Sequence, residues 1–234
     1  MSFHFPGGDA RTTIIGATGT GKSTCGTWLL GHQRFDKRPW VVLDFKQERL
    51  FDLVGFPPIQ QISLTAKPPK KSGNLYLVSP RPGQDDLLET WLWRVWEKGN
   101  IGLYVDEAAL MPDRDAWRAI LQQGRSKRIP VIACSQRPVD VKRALFSEAS
   151  YFCVYRLQDQ RDYKTVQGFA PAAMALPLPA HHWRWYDVQH NQLLNMAPVP
   201  RPVIVADELR ARLPVSFSPF SWLQSPGPAR LKLT

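Results

Sequence analysis

A glycine-rich stretch directly after an apolar run constrains the fold of this chain more than any other feature. Residues 16–24 read Gly-Ala-Thr-Gly-Thr-Gly-Lys-Ser-Thr, and residues 12–15 before them read Thr-Thr-Ile-Ile. The stretch matches the pattern G-x-x-x-x-G-K-[ST], whose glycines let successive backbone N–H groups point at a phosphate. A helix-compatible run from Lys22 to Leu30 follows, and the amino end of a helix favours an anion. This context predicts a strand, a phosphate-binding loop and a helix, and not an ordinary glycine-rich turn.

The same pattern, known as Walker A, gives each residue of the loop a predicted role. The Lys22 ammonium can reach the β- and γ-phosphates of a nucleoside triphosphate, and the Ser23 hydroxyl can ligate Mg²⁺. The cofactors expected from the pattern are therefore ATP and Mg²⁺. The residues predicted to bind the nucleotide are Gly16, Ala17, Thr18, Gly19, Thr20, Gly21, Lys22, Ser23 and Thr24.

Composition narrows the class of protein. The chain has 234 residues, 44% of them hydrophobic, which is enough for one well-buried α/β domain and a small appendage. A formal net charge of +10 favours a polyanionic partner, either nucleic acid or an acidic membrane surface, although a protein can also be basic without such a partner. The sequence contains no run of about 18 apolar residues, so no membrane span is predicted. The amino terminus does not resemble a signal peptide. The three cysteines are expected to be reduced, buried thiols in a cytosolic protein.

Strand and helix patterns alternate from about residue 12 to residue 188, which predicts a mostly parallel sheet with both faces covered. Residues 1–195 are assigned to a P-loop ATPase domain, and residues 196–234, rich in proline and serine, to a C-terminal extension interpreted as an extended tail. The predicted strands are 40–44, 75–78, 101–105, 129–134, 151–155 and 183–186, the last being the final strand. The predicted helices are 84–98, with Leu87 on its apolar face, 114–123, 139–146 and 159–167.

Two acids follow one of these strands. Leu103, Tyr104 and Val105 precede Asp106 and Glu107, and ligands of open α/β sheets bind at the carboxyl ends of the strands. An apolar run before two acids is common by itself, but its position downstream of the phosphate loop favours a Walker B strand. Asp106 is then predicted to hold Mg²⁺ through water, and Glu107 to polarise the attacking water.

A third block of the sequence predicts two more catalytic residues. The strand that contains Val131 ends near Gln136, whose amide can contact the γ-phosphate or its water. Upstream, Arg125 belongs to a cationic loop between a helix and a strand. An arginine placed at the γ-phosphate raises the rate of phosphoryl transfer by about 10³–10⁵. Arg125 is predicted to be such a finger for an adjacent subunit, with a solvated basic loop that contacts phosphate backbones as the alternative.

The order of these motifs resembles the FtsK–HerA superfamily of DNA-pumping P-loop ATPases. The resemblance rests on GATGTGKST, LYVDEA, QQGRSKRIPVIACSQRPVDV and FCVYRLQDQRDYKTVQG, and it covers residues 12–168. Asp44-Phe45-Lys46 is similar to the family's acid-x-Lys after the second strand. The resemblance implies a RecA-like α/β fold and a nucleotide bound between subunits of a homo-oligomeric ring, with a hexamer as the expected size.

Within this superfamily, a compact basic member is similar to the genome-packaging ATPases of tailless, membrane-containing viruses. That similarity implies an ATP hydrolase that pumps double-stranded DNA without sequence preference into a capsid. Its expected locations are the host cytoplasm and the virion vertex, with capsid or vertex proteins as partners and membrane association only through partners. The residues considered for DNA contacts are Lys67, Lys70, Lys71, Lys142 and Arg143.

Three other classes of function stay open on the sequence alone. A filamentous-phage assembly ATPase of the Zot kind would act on single-stranded DNA and use exposed tryptophans for stacking. A nucleotide kinase or GTPase-like switch is disfavoured by Glu107 and by the block from Arg125 to Gln136. A structural vertex protein that binds nucleotide only for assembly is disfavoured by the intact motor residues.

Overall fold

A single mostly parallel sheet organises the fold. The computed structural model describes residues 3–46 and 59–213, and the sheet has nine strands within these ranges. Their spatial order is β3-β4-β2-β5-β6-β1-β7-β8-β9. The strands are β1 (Arg11–Ile15), β2 (Trp40–Leu43), β3 (Ile59–Gln61), β4 (Leu75–Val78), β5 (Gly102–Val105), β6 (Val131–Ser135), β7 (Tyr151–Val154), β8 (Trp183–Asp187) and β9 (Gln192–Met196). Strands β1 to β7 run parallel, and β8 and β9 are antiparallel.

Helices connect the strands and cover the sheet. They are α1 (Lys22–Gly31), α2 (Asp85–Lys98), α3 (Asp115–Gln123), α4 (Arg143–Ser147), α5 (Gln160–Gln167) and α6 (Pro202–Arg212), and short 3₁₀ helices occupy Ala108–Leu110, Pro138–Asp140 and Ala172–Ala175. The predicted α/β class with a mostly parallel sheet is therefore confirmed. In the part of the chain that the structure describes, no helix is both long and apolar enough to cross a bilayer.

The core lies on both faces of the sheet because neighbouring residues of a strand point to opposite sides. Along β2, Val41 and Leu43 pack in a cluster with α2 and α3, whereas Trp40 and Val42 pack in a cluster with α1 and α6. All four are nearly inaccessible to solvent. Strands buried on both faces are continuous apolar runs, as expected in parallel sheets.

Two predicted helices differ in detail. Leu87 was expected on the apolar face of α2, but its side chain is 43% exposed. At 100° per residue, it lies about 90° from the centre of the buried stripe Leu88, Trp91, Leu92 and Val95. The predicted helix 139–146 is divided into the 3₁₀ turn Pro138–Asp140 and the short α4. The backbone of Lys142 between them is extended (φ −58°, ψ 136°), and its ammonium is tied to Asp113 and to the Arg114 carbonyl.

The prediction that β8 is the final strand is wrong. The chain turns back at residues 188–191 and adds β9, which pairs antiparallel with β8. Asn191 adopts the left-handed conformation (φ 47°), which asparagine tolerates better than most residues. The side chain of Asp187 also accepts the His190 N–H. These two local features form the turn without an Asn-Gly or Asp-Gly pair.

The expectation of an extended tail after residue 196 is wrong for residues 202–212, which form helix α6. Pro202 is the first residue of the helix, where its fixed φ fits and its missing N–H costs nothing. Val205, Ala206 and Leu209 are buried, and Leu209 packs in the cluster that contains α1. The remaining residues of the predicted extension, 214–234, lie outside the described residues.

Candidate active site

The predicted phosphate-binding loop connects β1 to α1 and is anchored to both strands that flank β1. The Gly16 N–H donates to the Ser135 carbonyl at 3.3 Å, and the Ala17 N–H donates to the Arg156 carbonyl at 3.1 Å. A Cβ atom at Gly16 would lie 2.5 Å from the Cβ of Tyr155. Only glycine therefore allows the loop to pass this close to the residue that follows β7.

The tip of the loop has the backbone that the motif predicts. Gly19 and Gly21 adopt left-handed conformations, with φ of 77° and 100°, which L side chains rarely adopt. The Thr20 hydroxyl donates to the Ala17 carbonyl at 2.7 Å. The Cys25 N–H donates to the Gly21 carbonyl, and α1 begins directly after Gly21, so the last three residues of the motif lie in its first turn. A loop of this form with a helix amino end beside it is suited to an anionic group.

Lys22, the predicted phosphate-binding lysine, is only 6% exposed. Burial lowers its pKa, and the nearby Lys46 ammonium lowers it further. The carboxylates of Glu107 and Asp106 act in the opposite direction. A partly desolvated ammonium gains more from an anionic ligand than one in water would, because the effective dielectric constant is lower.

The two acids after β5 lie at the same edge of the sheet as the loop. Asp106 is completely buried, and its N–H donates to the Leu43 carbonyl at 3.1 Å. Glu107 is 5% exposed, and both of its carboxylate oxygens are engaged. Oε2 pairs with the Lys46 ammonium at 2.5 Å, and Oε1 accepts the Gln136 N–H at 3.2 Å.

Gln136 connects these acids to the loop. It directly follows β6, the strand between β5 and β1. Its side-chain Oε1 accepts the Thr18 hydroxyl at 2.9 Å, while its backbone N–H donates to Glu107. The structure therefore joins three predicted elements, the loop, the acidic strand end and the sensor strand, by direct hydrogen bonds.

The donor set at this edge fits a magnesium ion. The Ser23 hydroxyl and the Asp106 carboxylate are hard oxygen ligands, and Mg²⁺ is commonly held by one or two protein oxygens together with substrate phosphates and water. Among residues 3–46 and 59–213, no group of three or more histidine, cysteine or acidic residues could hold a metal without such a substrate.

Arg125 lies far from the other predicted catalytic residues. It follows α3, and its guanidinium is 75% exposed and pairs with Asp9 at 3.4 Å. Both residues precede strands, β6 and β1 respectively, so they lie at the amino edge of the sheet. The five-residue β1 spans about 17 Å between that edge and the loop. Arg125 is therefore not placed to contact a phosphate held by its own protomer.

The residues considered for DNA contacts differ in how free they are. Lys67, Lys70 and Lys71 are exposed. Lys142 is only 17% exposed and pairs with Asp113 at 2.5 Å. The guanidinium of Arg143 lies 4.8 Å from the centre of the Phe169 ring. Lys142 is thus the least available of these residues for a partner.

The structure adds a part of the site that sequence reasoning missed. A cleft of about 680 Å³ extends from the phosphate-binding loop to the segment before α6. Beyond loop residues, it is lined by Tyr155, His181, Pro198, Val199, Pro200, Arg201 and Pro202. The signal in the sequence was the Pro-rich segment, but nothing local indicated that it returns to the loop.

Comparisons with known proteins agree with this geometry. The DNA packaging ATPase P9 of Enterobacteria phage PRD1 is 40% identical over an alignment of 224 positions, and the alignment covers 91% of this chain and 95% of P9. No protein-family model matches the chain.

Solved structures support the fold independently. The genome packaging NTPase B204 of Sulfolobus turreted icosahedral virus 2, in complex with ATPγS, aligns with a TM-score of 0.65 at 18% identity, over 83% of this chain and all of B204. EssC (ATPases 2 and 3) of Geobacillus thermodenitrificans aligns with a TM-score of 0.62 at 15% identity, over 88% of this chain and 43% of EssC. The predicted resemblance to viral genome-packaging ATPases is confirmed, and the chain belongs to the family of viral packaging ATPases that includes P9 of phage PRD1.

Proposed function

We propose that this protein is the ATP-driven motor that moves viral double-stranded DNA into a capsid. The observation that carries the proposal is the hydrogen-bonded connection from Thr18 through Gln136 to Glu107. It supports a role for the Glu107 carboxylate in activating water next to the loop that would hold the triphosphate. P9, the relative with 40% identity, is a DNA packaging ATPase, which supports the same function.

Each residue at the carboxyl edge has a distinct part in hydrolysis. Lys22 and the loop N–H groups hold the phosphates. Ser23 and Asp106 would hold Mg²⁺, which would supply positive charge to neutralise the phosphoryl oxygens. Glu107 orients the attacking water and accepts its proton. Gln136 contacts both Glu107 and the loop, so it can report the state of the γ-phosphate to β6.

The amino edge completes the site of a second protomer. In this proposal Arg125 enters the neighbouring protomer's site and stabilises the charge that develops on the γ-phosphate. Its exposure and its weak pairing with Asp9 leave it free to move, since surface ion pairs contribute little. Head-to-tail contacts between unlike edges form a ring when the rotation between protomers closes. The proposed assembly is such a ring, expected to be a hexamer.

The polyanion that the motor pulls is double-stranded DNA of any sequence. The net charge of +10 attracts phosphate backbones, and contacts to phosphates carry no sequence information directly. Exposed lysines Lys67, Lys70 and Lys71 are candidates for these contacts. The motor acts in the host cytoplasm and at the virion vertex, where capsid or vertex proteins bind it and connect it to a membrane.

The experiment is to measure ATP hydrolysis with and without DNA for the wild type and for Glu107→Gln. We expect double-stranded DNA to stimulate the wild type, and the substitution to lower the stimulated rate at least about a hundredfold, the usual scale for a general base. Binding of ATP should be retained. Glu97→Gln, an exposed glutamate on α2, is the matched control and should hydrolyse like the wild type.

Three results would replace the proposal. Stimulation by single-stranded DNA alone would favour an extrusion ATPase of the filamentous-phage kind. A rate that responds to a small phosphate acceptor and not to DNA would favour a kinase. ATP binding without hydrolysis under any condition would favour a structural vertex protein.

A further inference from the structure

The cleft beside the phosphate-binding loop has a second wall for which the motor mechanism above has no use. Residues 198–202, which we call the proline strap, read Pro-Val-Pro-Arg-Pro and directly precede or begin α6. They line the same cleft as residues 18–24 of the loop. Four of the five strap side chains are apolar, so most of this wall consists of rings and methyl groups.

Helix α6 directs the strap toward the loop. Gly31, the last residue of α1, lies beside Leu209, with 3.8 Å between a Cβ built on Gly31 and the Leu209 Cα. Leu209 is near the carboxyl end of α6, whereas Pro202 at its amino end lines the cleft near the start of α1. The two helices therefore run in the same direction, and both amino ends face the cleft.

The opposite wall is built from two rings that the fold holds in place. His181 has a left-handed backbone (φ 58°), and its Nδ1 lies 3.3 Å from the Thr20 carbonyl. Because a carbonyl only accepts, Nδ1 carries the hydrogen and donates it, which holds the imidazole against the loop. Tyr155 is almost fully buried and stacks on Trp183, with 6.1 Å between ring centres and 21° between planes.

We propose that the proline strap and His181 form the subsite for the ribose and base of the nucleotide. The inference rests on the proposed function to the extent that the loop must hold the triphosphate. Once Lys22 fixes the phosphates, the nucleoside is the part that remains to occupy the adjoining cleft. Its walls offer ring and aliphatic contact, and stacking of a base on such surfaces depends little on which base it is.

The substrate class that follows is nucleoside triphosphates with weak selection of the base. Strong selection between bases requires side chains that hydrogen-bond the base edge, because a substrate lacking the partner group then leaves buried polar atoms unpaired. Outside the loop, the cleft residues with side-chain nitrogens are Arg201 and His181, and both are exposed, so water can replace a missing base-edge partner. The protein should therefore accept GTP nearly as well as ATP.

A first experiment separates the nucleoside subsite from the phosphate subsite. The dissociation constants of Mg-ATP and of Mg-tripolyphosphate, which has no base or sugar, are measured by calorimetry for the full chain. His181→Asn removes the ring, and asparagine tolerates the left-handed backbone. We expect this variant to bind ATP about tenfold more weakly, a loss on the scale of one stacked ring, and to bind tripolyphosphate within about twofold of the wild type.

His182→Asn is the matched control, because His182 is the neighbouring, partly buried histidine and does not line this cleft. It should bind both ligands like the wild type. Pro200→Ala tests the opposite wall and should weaken ATP binding alone, by a smaller factor. The proposal is overturned if His181→Asn and Pro200→Ala leave ATP binding unchanged, or if they weaken tripolyphosphate as much as ATP.

A second experiment tests the substrate class. The ratio of kcat/KM for ATP to that for GTP should be below about ten, since polar side chains that stay exposed to water discriminate weakly between bases. A ratio above about a hundred would contradict the inference. Both experiments can fail while DNA still stimulates hydrolysis, and both can succeed with a chain that DNA does not stimulate. Their failure is therefore distinguishable from failure of the proposed function.

Discussion

The two edges of the sheet differ in how their polar residues are held. At the carboxyl edge, Lys22, Asp106 and Glu107 are all at most 6% exposed, and Gln136 connects Glu107 to the loop. At the amino edge, Arg125 is 75% exposed and has one ion-pair partner, Asp9, which is also exposed. The first edge is organised within one protomer, whereas the second has its cation directed to solvent.

This difference indicates how a motor site can be divided between two protomers. Groups that must be positioned before the reaction are buried and hydrogen-bonded, since a preorganised site pays no reorganisation cost during the reaction. A group that must arrive from another protomer has to remain accessible. An exposed arginine with a weak ion pair satisfies that requirement, because such a pair contributes about 1 kcal/mol or less.

The largest expected effect tests whether the edges cooperate between protomers. Arg125→Ala and Lys22→Ala should each lower hydrolysis by about 10³ or more, the scale of an arginine finger. In a ring of both variants, some interfaces pair an intact loop with an intact Arg125. Random mixing of equal amounts gives about one quarter of such interfaces, so up to about a quarter of the wild-type rate should return.

Arg118→Ala is the control for this mixing experiment. Arg118 is on α3, less than two turns before Arg125, and is 52% exposed. Its removal should leave hydrolysis near the wild-type rate. The division of the site between protomers loses its support if Arg125→Ala alone retains activity, or if no mixture of the two variants recovers any.

The second effect concerns α6, which covers the helix that connects the two edges. Leu209 is completely buried against α1, and Leu209→Ala should reduce the free energy of unfolding by about 2–4 kcal/mol. Val203→Ala on the same helix should change it by less than about 0.5 kcal/mol, because Val203 is 65% exposed. Urea unfolding measures both. A loss below about 1 kcal/mol for Leu209→Ala would mean that α6 is not an integral part of the domain.

Helix α6 also illustrates why part of the fold could not be predicted. The loop from Gly16 to Thr24 and the acids Asp106 and Glu107 were predicted from sequence, because each motif is a short run whose chemistry is local. The prolines around α6 suggested an extended tail. Pro202 instead begins a helix, and the decisive contact is between Leu209 and α1, far apart in the chain.

The same reasoning applies to the active site. Parallel strands were expected to bring the ends of the motifs to one edge, and the structure shows this as a hydrogen bond between Thr18 and Gln136. The nucleoside end of the cleft could not be predicted from the sequence, because it depends on the hairpin of β8 and β9, which returns the proline strap to the loop. His181 also gave no signal, because its role depends on a left-handed backbone that the sequence does not reveal.

The third effect tests whether the carboxyl edge is as preorganised as its contacts suggest. Lys46→Met keeps an unbranched side chain but removes the ion pair with Glu107. Hydrolysis should fall about tenfold, since Glu107 then keeps a single anchoring contact and the general base is less well positioned. Binding of ATP should change little. Single-turnover kinetics measure the chemical step separately from binding.

Lys142→Met is a suitable control because Lys142 is also a partly buried lysine in an ion pair. Its partner, Asp113, is not one of the predicted catalytic residues. Its hydrolysis rate should stay within about twofold of the wild type. A faster rate for Lys46→Met would reverse the interpretation, because Lys46 would then restrain Glu107.

The smallest effect concerns His32, just beyond the end of α1 and away from the loop. Burial lowers the pKa of His32, and Arg212 adds to the shift, opposed by the Trp28 carbonyl and Glu208. The Phe5 ring stacks on it at 3.8 Å. Because the folded pKa lies below the unfolded value of 6.5, this stabilisation is complete above pH 6.5 and is lost as the pH falls toward the folded pKa.

His32→Phe should reduce the fall in Tm between pH 7 and pH 5 by about 2 °C or less, whereas His182→Phe should leave it unchanged. An unaltered fall in His32→Phe would show that protonation of this imidazole does not weaken the amino-terminal aromatic contacts.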